Sequence, residues 1–268
     1  VPKFAGRTQS GWGGELTAAN NSSPDFENRY LDAKKLTILT PISNDLLRRA
    51  VQGLEAQLIR HLQRSIGVDE TLAALRGSGS DGEPTGIKNQ IDAGNVFDRK
   101  GSAGSTATAE NILQTIGAAK NAVDDSNLNN DSAGWIMTDR TVNGIMFQDV
   151  SDGIYPTVVM QLMDGELINR PVRTTNALPK NLDASGQATD DETEIYYGVW
   201  DQLWVGDTLN MEVMVENGKA YVEGGSVKSA LARDESVAKI THEVDFAVAY
   251  DKAFSVVEGV DFGADAFS

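Results

Sequence analysis

The sequence predicts a mixed fold of helices and β-sheet, with its longest helix in the first third of the chain and most of its strands in the last third. Apolar residues between Leu47 and Leu62 recur at steps of three and four, which is the spacing of one helical face. From Ile240 to Tyr250, larger and mostly apolar residues occupy every second position, as in a strand with one buried face. A helix–strand–helix order around Trp135 lies between them and indicates an α/β-like lobe.

The composition excludes several classes of protein. The chain has 268 residues, of which 40% are apolar, enough for the core of one large domain or two entwined ones. It has no run of eighteen apolar residues, so we expect no membrane-spanning helix. Cysteine is absent, which excludes disulfides, thiolate metal sites and cysteine nucleophiles. The chain begins at Val1 rather than Met, so we expect a processed N-terminus or further residues upstream.

Only two histidines, His61 and His242, are available for catalysis or metal binding. Each lies in a strongly patterned segment, so we expect a packed or interfacial role for both. Few histidines are therefore available for serine–histidine catalysis or for a histidine metal site. We expect no cofactor, no metal and no enzymatic activity. The 39 Asp and Glu residues leave a carboxylate-dependent hydrolase open as an alternative, because such chemistry needs only a pair of acids.

Charge is distributed unevenly along the chain. The net charge is −16, but residues 1–76 carry 10 Lys and Arg against 8 Asp and Glu. Residues 77–268 carry 13 against 31. A chain this acidic repels nucleic acid at long range. The asymmetry suggests that the first quarter lies against the acidic remainder, either its own or a neighbour's, although a solvated acidic surface without a partner is an open alternative.

Residues 12–35 indicate two extended arms joined at a polar, turn-rich tip. Trp12 and Leu16 lie before the tip, and Phe26 and Tyr30 lie after it. Such a long hairpin cannot bury a core alone, so we expect it to lie on another surface.

A short strand from Leu36 to Thr40, ended by Pro41, is predicted to lead into a long amphipathic helix. Ser43 is a suitable N-cap for that helix. If the helix continues to Leu75, it spans on the order of 45 Å at 1.5 Å per residue.

Three arginines lie on a different side of this helix from its apolar face. Arg49, Arg60 and Arg64 fall within about 60° of one another at 100° per residue. Such a basic stripe is most often a solvated face, but it also suits contact with DNA or with the carboxylates of a neighbouring subunit. We favour the neighbouring subunit.

The stretch GSGSDGEPTGI, residues 77–87, has the G-x-G-x-x-G spacing of a dinucleotide-binding loop at Gly77, Gly79 and Gly82. That motif needs a strand before the first glycine and a helix after the last one. Here a predicted helix arrives, and Pro84 follows. A calcium loop would need more carboxylates than this stretch has. The stretch is therefore predicted to be a helix stop followed by a rigid turn.

The rest of the chain predicts alternating loops, helices and strands. The segment MEVMVENGKAYVEG favours a β-hairpin, because Asn217-Gly218 suits the two positive φ angles of a type I′ turn. The other predicted elements are a loop at 92–108, a helix capped by Thr108 with Ile112, Ile116, Ala119 and Val123 on one face, a buried strand Trp135–Thr138, a short helix at 142–146, loops over 151–180 with a strand around 168–174, and an exposed segment at 180–194.

In this order, the segments resemble the major capsid proteins of tailed bacteriophages over nearly the whole chain. Each motif is moderately specific, and their shared order carries the resemblance. The matching motifs are Trp12-Gly13-Gly14-Glu15, Lys34-Lys35-Leu36, Ser43-Asn44-Asp45-Leu46-Leu47, Pro84-Thr85-Gly86-Ile87, Trp135-Ile136-Met137-Thr138 and Ile168-Asn169-Arg170-Pro171-Val172, with looser matches at Gly198-Val199-Trp200-Asp201 and over 237–258.

The resemblance implies the HK97-type, tailed-phage major-capsid fold. This is a flat α+β subunit with a long spine helix, a peripheral lobe, an axial lobe and an extended loop. The expected divisions are an N-terminal arm remnant at 1–11, the extended loop at 12–35, a peripheral domain at 36–104 and 213–247, and an axial domain at 105–212 and 248–268.

The resemblance also implies a structural, non-enzymatic role. The chain is expected to self-assemble into pentamers and hexamers of an icosahedral shell that encloses double-stranded DNA without sequence-specific binding. The expected location is the virion after assembly in the host cytoplasm, with scaffold, maturation protease, portal and decoration proteins as partners. An encapsulin-type nanocompartment shell is an alternative with the same fold. Neighbouring subunits are expected to be contacted by extended-loop residues Trp12, Glu15, Leu16, Phe26, Arg29 and Tyr30.

One departure from the family concerns covalent cross-links. Some members join subunits by an isopeptide bond between a loop lysine and an asparagine of a neighbour. Residues 12–33 contain no lysine, and the corresponding region at 233–236 contains no asparagine. We therefore expect no such bond, and reinforcement by other contacts.

Overall fold

Two sheets organise the part of the chain that the computed structural model describes, which is residues 2–4, 26–49, 54–99, 109–147, 156–183 and 191–261. One is a three-stranded antiparallel sheet in the order β3-β12-β9, and the other is a six-stranded mixed sheet in the order β4-β13-β8-β5-β7-β6. The strands are β1 (Pro2–Phe4), β2 (Phe26–Asn28), β3 (Lys34–Ser43), β4 (Val96–Asp98), β5 (Ala133–Met137), β6 (Glu166–Leu167), β7 (Arg170–Thr174), β8 (Thr193–Val199), β9 (Leu203–Asn217), β10 (Ala220–Glu223), β11 (Ser226–Ser229), β12 (Glu235–Val248) and β13 (Phe254–Val260). The α-helices of these residues are α1 (Asn44–Arg49), α2 (Leu54–Arg76), α3 (Ala109–Asp124), α4 (Asp139–Phe147), α5 (Pro156–Met163) and α6 (Ala230–Arg233).

The long amphipathic helix is present as α2, and it lies on the three-stranded sheet. Leu62 and Ile66 are buried against Ile38 and Ile240, which are cross-strand partners on one face of that sheet. The helix ends at Arg76, next to the predicted end at Leu75, but it begins at Leu54. The first part of the predicted helix is α1, and residues 50–53 between the two lie outside the described residues. Burying these side chains removes apolar area from water at roughly 25 cal/mol per Å², which anchors the helix.

Strand β3 continues through Pro41, where the sequence predicted its end. Pro41 lies opposite Val237 and within the strand. Proline is tolerated there because β3 is an edge strand of its sheet, so the missing N–H removes no bond to a second neighbour.

Strand β12 is more buried than the half-buried strand that was predicted, although Lys239 and Glu243 on its second face are partly exposed. It lies in the middle of the three-stranded sheet, and even Thr241 and Asp245 are more than 90% buried. The carboxylate of Asp245 accepts a hydrogen bond from the backbone N–H of Asp32 at 2.7 Å. A buried carboxylate needs such a hydrogen-bond donor, and here the donor comes from a part of the chain that is distant in sequence.

The six-stranded sheet contains the second core. Trp135 of β5 is fully buried and packs on Tyr197 of β8 with ring centroids 4.3 Å apart. Helix α3 buries Ile116, Ala119 and Val123 in the same cluster. The predicted buried strand is confirmed, and so is the helix face at Ile116, Ala119 and Val123. The predicted cap Thr108 and the side chain of Ile112 lie outside the described part of the chain.

Several local predictions fail. The segment expected to be exposed at 180–194 ends in Glu192, Thr193 and Glu194, which are buried because β8 begins there in the middle of the six-stranded sheet. The loop expected at 92–108 contains strand β4, which pairs with β13.

Residues 156–163 form helix α5 where loops were expected, because Val158, Val159 and Leu162 pack on the second core despite their weak helical signal. The predicted hairpin through Asn217-Gly218 does not form. Strand β9 pairs with β12 instead, while β10 pairs with β11 through a tight turn at Gly224-Gly225.

The glycine-rich stretch is a closed turn after α2, as predicted. The Gly77 N–H donates to Ala73 O at 2.8 Å, and the Gly86 N–H donates to Gly77 O at 2.9 Å. The Glu83 carboxylate accepts from both the backbone N–H and the hydroxyl of Ser78, at 3.0 and 2.7 Å. These donors would have to be free to bind a phosphate, so the turn is not built as a dinucleotide-binding loop.

Two further findings concern the described residues only. None of their helices combines the length and the apolar character needed to cross a membrane. They also contain no group of three or more His, Asp or Glu side chains placed to hold a metal ion.

Replacing Gly86 tests how closely the backbone segments of the turn pack against one another. A Cβ at Gly86 would lie 2.4 to 2.7 Å from Gly77 N, Ala73 O and Arg76 N, which are all backbone atoms. We expect Gly86→Ala to lower the free energy of unfolding of unassembled subunits by about 1 to 3 kcal/mol, measured by urea denaturation. Gly67→Ala is the matched control. Position 67 is helical with no neighbouring atom within 4 Å, so this change should stabilise by about 0.5 to 1 kcal/mol. Equal effects of the two changes would contradict this account of the turn.

Candidate assembly surfaces

A buried carboxylate, that of Glu194, lies where the end of α2 meets the six-stranded sheet. Its side chain is 1% exposed. Its Oε1 accepts from Lys88 Nζ at 2.7 Å, and its Oε2 accepts from the Tyr196 hydroxyl at 2.8 Å. Arg76 Nε also lies 2.9 Å from Oε2, close enough for an ion pair although not aligned as a hydrogen bond. Both carboxylate oxygens are therefore occupied.

Glu194 and the residues linked to it, directly or through Lys88, come from four elements of the fold. Arg76 is the last residue of α2, and Lys88 lies in a short 3₁₀ helix, Ile87–Asn89, after the glycine-rich turn. Lys88 also binds Glu258 of β13, with Nζ and Oε1 2.5 Å apart. These five residues, Arg76, Lys88, Glu194, Tyr196 and Glu258, are called the buried charge cluster after Glu194 and Tyr196, which are buried, while the other three are partly exposed. It joins the long helix to the six-stranded sheet.

The protonation states of the cluster follow from burial and pairing. Burial disfavours the charged ammonium of Lys88, but its bonds with Glu194 and Glu258 outweigh burial, so the pKa of Lys88 is raised. Burial raises the pKa of Tyr196 well above its usual value, and the charge of Glu194 adds to that rise. Lys88 is thus a cation and Tyr196 a neutral hydroxyl donor at neutral pH, and the cluster pairs two basic with two acidic side chains. Such a balanced group is stable when buried, whereas one missing member would leave an uncompensated charge.

A second buried cation lies at the far end of β13. Arg99 pairs with Asp261, and its backbone N–H donates to Glu258 O at 3.1 Å. Burial lowers the pKa of Arg99 to about 10, against the opposing charges of Glu192 and Asp191. The arginine remains charged at neutral pH and closes the edge of the sheet where β4 meets β13.

The cluster does not have the properties of a hydrolase site. A general acid or base needs a carboxyl group within hydrogen-bond reach of a substrate. Glu194 is enclosed, and both of its oxygens are bound by Lys88, Tyr196 and Arg76. Its geometry instead fixes the position of one structural element on another.

Extended-loop residues chosen from the sequence are only partly within the described residues. Trp12, Glu15 and Leu16 lie outside them, and Phe26 is described only through the backbone pairing of β2 with β1. The remaining two are Arg29, whose guanidinium binds the Asp251 carboxylate at 2.6 Å, and Tyr30, which is 83% exposed.

The basic residues of the predicted stripe are all exposed, on two described helices. Arg49 lies on α1 and pairs with Asp45 at 3.0 Å. Arg60 and Arg64 lie one turn apart on α2. Residues 50–53 between the two helices lie outside the described residues, so the continuity of the stripe stays a prediction. His61 lies beside these arginines and is exposed, while His242 is buried with Nε2 3.7 Å from Glu70 Oε1.

Gln90 has a structural role that the sequence did not reveal. Its side-chain amide donates to Phe246 O and accepts from the Val248 N–H, both at 2.9 Å, as a neighbouring strand would. It also donates to Thr85 O. No local pattern marks this residue, because its partners on β12 lie more than 150 positions away.

Several large apolar side chains are exposed among the described residues. They are most exposed at the β10–β11 hairpin and α6, and on α5, while others lie on the three-stranded sheet. The most relevant are Val222, Val227 and Leu231 at the hairpin, Met160 and Met163 on α5, and Leu39 and Met214 on the sheet. Exposed apolar groups of this kind mark contact surfaces when they lie together.

Comparison with known proteins identifies the family. Residues 1–259 match the model of the Phage capsid family. The chain belongs to this family. The α+β fold class and the resemblance predicted from the sequence are confirmed, and the family is one of structural capsid proteins rather than of enzymes.

One curated relative is the major capsid protein of Klebsiella oxytoca phage phiKO2. It is 28% identical over 267 residues, which cover 98% of this chain and 60% of the relative. The chain therefore spans about 60% of the length of that relative.

Solved structures share the fold at lower sequence identity. The capsid of a native GTA particle computed with C5 symmetry matches with a TM-score of 0.69 and 17% identity over 97% of this chain and 84% of that one. A structure from Mycobacterium phage Adephagia matches with a TM-score of 0.71 and 12% identity over 96% and 83%. One from Microbacterium phage Oxtober96 has a TM-score of 0.69 and 12% identity over 96% and 84%. The predicted capsid-type fold is therefore confirmed.

Neutralising Glu194 tests the buried charge cluster. Glu194→Gln keeps the shape of the side chain but leaves Arg76 and Lys88 with too little negative charge. We expect the free energy of unfolding to fall by about 3 kcal/mol in urea denaturation of unassembled subunits. Asp45→Asn, which removes the exposed pair with Arg49, is the matched control and should cost less than about 1 kcal/mol. A Glu194→Gln chain as stable as the control would show that the cluster is not needed for stability.

Proposed function

We propose that this chain is the shell-forming subunit of a phage head. Copies assemble into pentamers and hexamers, and these form an icosahedral shell that encloses double-stranded DNA. The observation that carries this function is the family match over residues 1–259, nearly the whole chain. The fold shared with solved phage capsids over 96–97% of the chain supports it further.

The two sheets suit the two lobes of such a subunit. The peripheral domain at 36–104 and 213–247 contains α2 and most of the three-stranded sheet, and the axial domain at 105–212 and 248–268 contains α3, α4, α5 and most of the six-stranded sheet. The buried charge cluster lies between them and sets their relative position. A shell needs subunits of defined shape, and a fully paired buried cluster supplies a fixed junction.

The C-terminal leg of the extended loop is held on its own subunit. Arg29 binds Asp251, the Asp32 N–H binds Asp245, and Leu31 lies so close to Gly206 that a Cβ there would be 3.3 Å from its side chain. Tyr30 lies between these anchors yet is 83% exposed. A fixed base with an outward-facing aromatic ring supports a loop that reaches a neighbouring subunit through Trp12, Glu15, Leu16, Phe26 and Tyr30.

The acidity of the chain suits a container for DNA. With a net charge of −16, the wall attracts no polyanion at long range. The shell then encloses the genome without binding it tightly and without sequence-specific contacts. The complete particle would include portal, scaffold, maturation protease and decoration proteins. The virion is the expected location, after assembly in the host cytoplasm.

Electron microscopy of the expressed protein tests this function. The protein should be produced from its complete gene, alone and with the neighbouring scaffold and protease genes, and imaged by negative stain with sedimentation alongside. Closed shells or rings of five and six are expected. Monomers under both conditions, at every protein and salt concentration, would contradict the function. Shells filled with cargo proteins rather than DNA in the native host would instead indicate a nanocompartment.

Charge reversal on α2 tests the role of the basic stripe. We expect Arg60→Glu with Arg64→Glu to lower the yield of shells about tenfold, because both side chains are exposed and would then repel the carboxylates of a neighbour. Arg60→Lys with Arg64→Lys keeps the charge and is the control, with near-normal yield. Shell yield is measured by sedimentation, and DNA content by absorbance of purified particles. Intact shells with altered DNA content would show that the stripe contacts DNA instead.

A further inference from the structure

The sequence contains the dipeptide Asn-Gly twice, and the fold places the two copies in opposite settings. Asn217-Gly218 lies at the end of β9, whereas Asn143-Gly144 lies within helix α4. Both asparagines are exposed. The two sites therefore differ in the state of their backbone rather than in the access of water to the asparagine amide.

The reaction that separates such settings is attack by a backbone nitrogen on the preceding asparagine side chain. The glycine nitrogen forms a bond to the asparagine Cγ, and the bond from Cγ to the amide nitrogen breaks. The proton of the glycine N–H leaves with that nitrogen as ammonia. Water then opens the succinimide ring at either carbonyl, which gives aspartate or isoaspartate. The attack needs a backbone nitrogen that is free to approach, and glycine allows the approach because it has no side chain.

Gly218 has the backbone that this reaction needs. It lies beyond the last paired residue of β9, where Asn217 is opposite Ser236. Among the described residues, no backbone carbonyl accepts a hydrogen bond from the Gly218 N–H. Its φ is 78°, which glycine adopts readily. A Cβ built on Gly218 would come no closer than 3.6 Å to its nearest neighbour, a side-chain carbon of Leu231, so the backbone there is not tightly packed.

Asn143-Gly144 is protected by its helix. Gly144 lies inside α4, where each N–H donates to the carbonyl four residues earlier. Gly144 is also buried, although Asn143 is exposed. Closing a ring at this site would break the helical hydrogen bond and rotate the main chain out of the helix. The same dipeptide is therefore held in an unreactive geometry.

We propose that Asn217 is a modification site at which the folded subunit converts its own asparagine to aspartate or isoaspartate, while Asn143 stays unchanged. The reaction needs only water as a second reactant. It does not rest on the shell-forming function proposed above, because it is a property of the folded subunit.

The conversion would change a polar network at one end of the three-stranded sheet. The Ser236 hydroxyl contacts the side-chain oxygens of both Asn217 and Asn44. Asn44, the first residue of α1, donates to Asp234 Oδ1 at 2.9 Å. Conversion places a carboxylate in this network, and isoaspartate also adds a methylene group to the main chain. Each converted subunit gains one negative charge, so the repulsion between copies that already carry −16 increases.

Ageing of the purified protein in heavy-oxygen water tests the site. The protein is produced from its complete gene, held at mildly alkaline pH, digested, and analysed by peptide mass spectrometry, because each conversion incorporates labelled oxygen from the water. In the folded protein, we expect conversion at Asn217 to be at least about tenfold faster than at Asn143. In guanidinium chloride, which unfolds α4, the two sites should convert at similar rates.

Asn217→Gln is the matched control, because it keeps the amide but would have to close a larger ring that forms more slowly. Ion-exchange chromatography of the aged parent protein should resolve a more acidic species that the Asn217→Gln protein does not form. Equal rates at Asn217 and Asn143 in the folded protein would overturn the proposal. So would an Asn217 that converts in guanidinium chloride but not in the folded protein. Fresh protein that converts at Asn217 but forms no shells would support the site and count against the shell-forming function.

Discussion

The carboxylate of Glu194 is the contact on which the arrangement of the described fold depends. It brings together the last residue of the long helix, the segment after the glycine-rich turn, and strand β8 of the second sheet. Desolvating a carboxylate costs several kcal/mol, and the cost is offset only when every partner is in place. The cluster therefore favours the one relative position of helix and sheet in which Arg76, Lys88 and Tyr196 all reach Glu194.

The glycine-rich turn is shaped by the same requirement. The chain must reverse within about ten residues so that Lys88 reaches Glu194 and Gln90 reaches β12. Gly77 and Gly86 lie so close to one another's backbone that no side chain fits between them. The rigid turn could be predicted from the glycine and proline residues of the stretch, because these residues restrict or free the backbone locally. The purpose of the turn could not be predicted, because the partners of Lys88 and Gln90 lie more than 100 residues away.

Predictions from sequence succeeded where the signal is local and periodic. The apolar face of α2 was predicted correctly because an amphipathic helix shows its period directly. The buried strand at Trp135 was predicted correctly because a short continuous apolar run is typical of a central strand, and β5 lies between β8 and β7. The predictions failed where tertiary partners decide. Strand β12 was predicted to have an exposed face, but Thr241, Asp245 and Ala247 on that face are buried, and the Asp245 carboxylate accepts a hydrogen bond from the Asp32 N–H. The predicted β9–β10 hairpin does not form because β9 pairs with β12, which is a longer strand than β10. The exposure of Val222 and Val227 could not be predicted either, because the same alternation of residues also occurs in a strand whose apolar face is buried.

Charge and apolar exposure together suggest how such a chain controls its assembly. Subunits with a large negative charge repel one another at distances up to the Debye length, about 8 Å at physiological salt. The exposed apolar groups act only at contact, and each patch is small. Association therefore needs an orientation in which several patches meet at once, while random encounters are repelled. Salt weakens the repulsion without weakening the apolar contacts, so the balance shifts toward assembly as ionic strength rises. A rigid junction within each subunit strengthens this requirement for one orientation. Apolar patches on the two lobes can contact a neighbour at the same time only if the angle between the lobes is fixed.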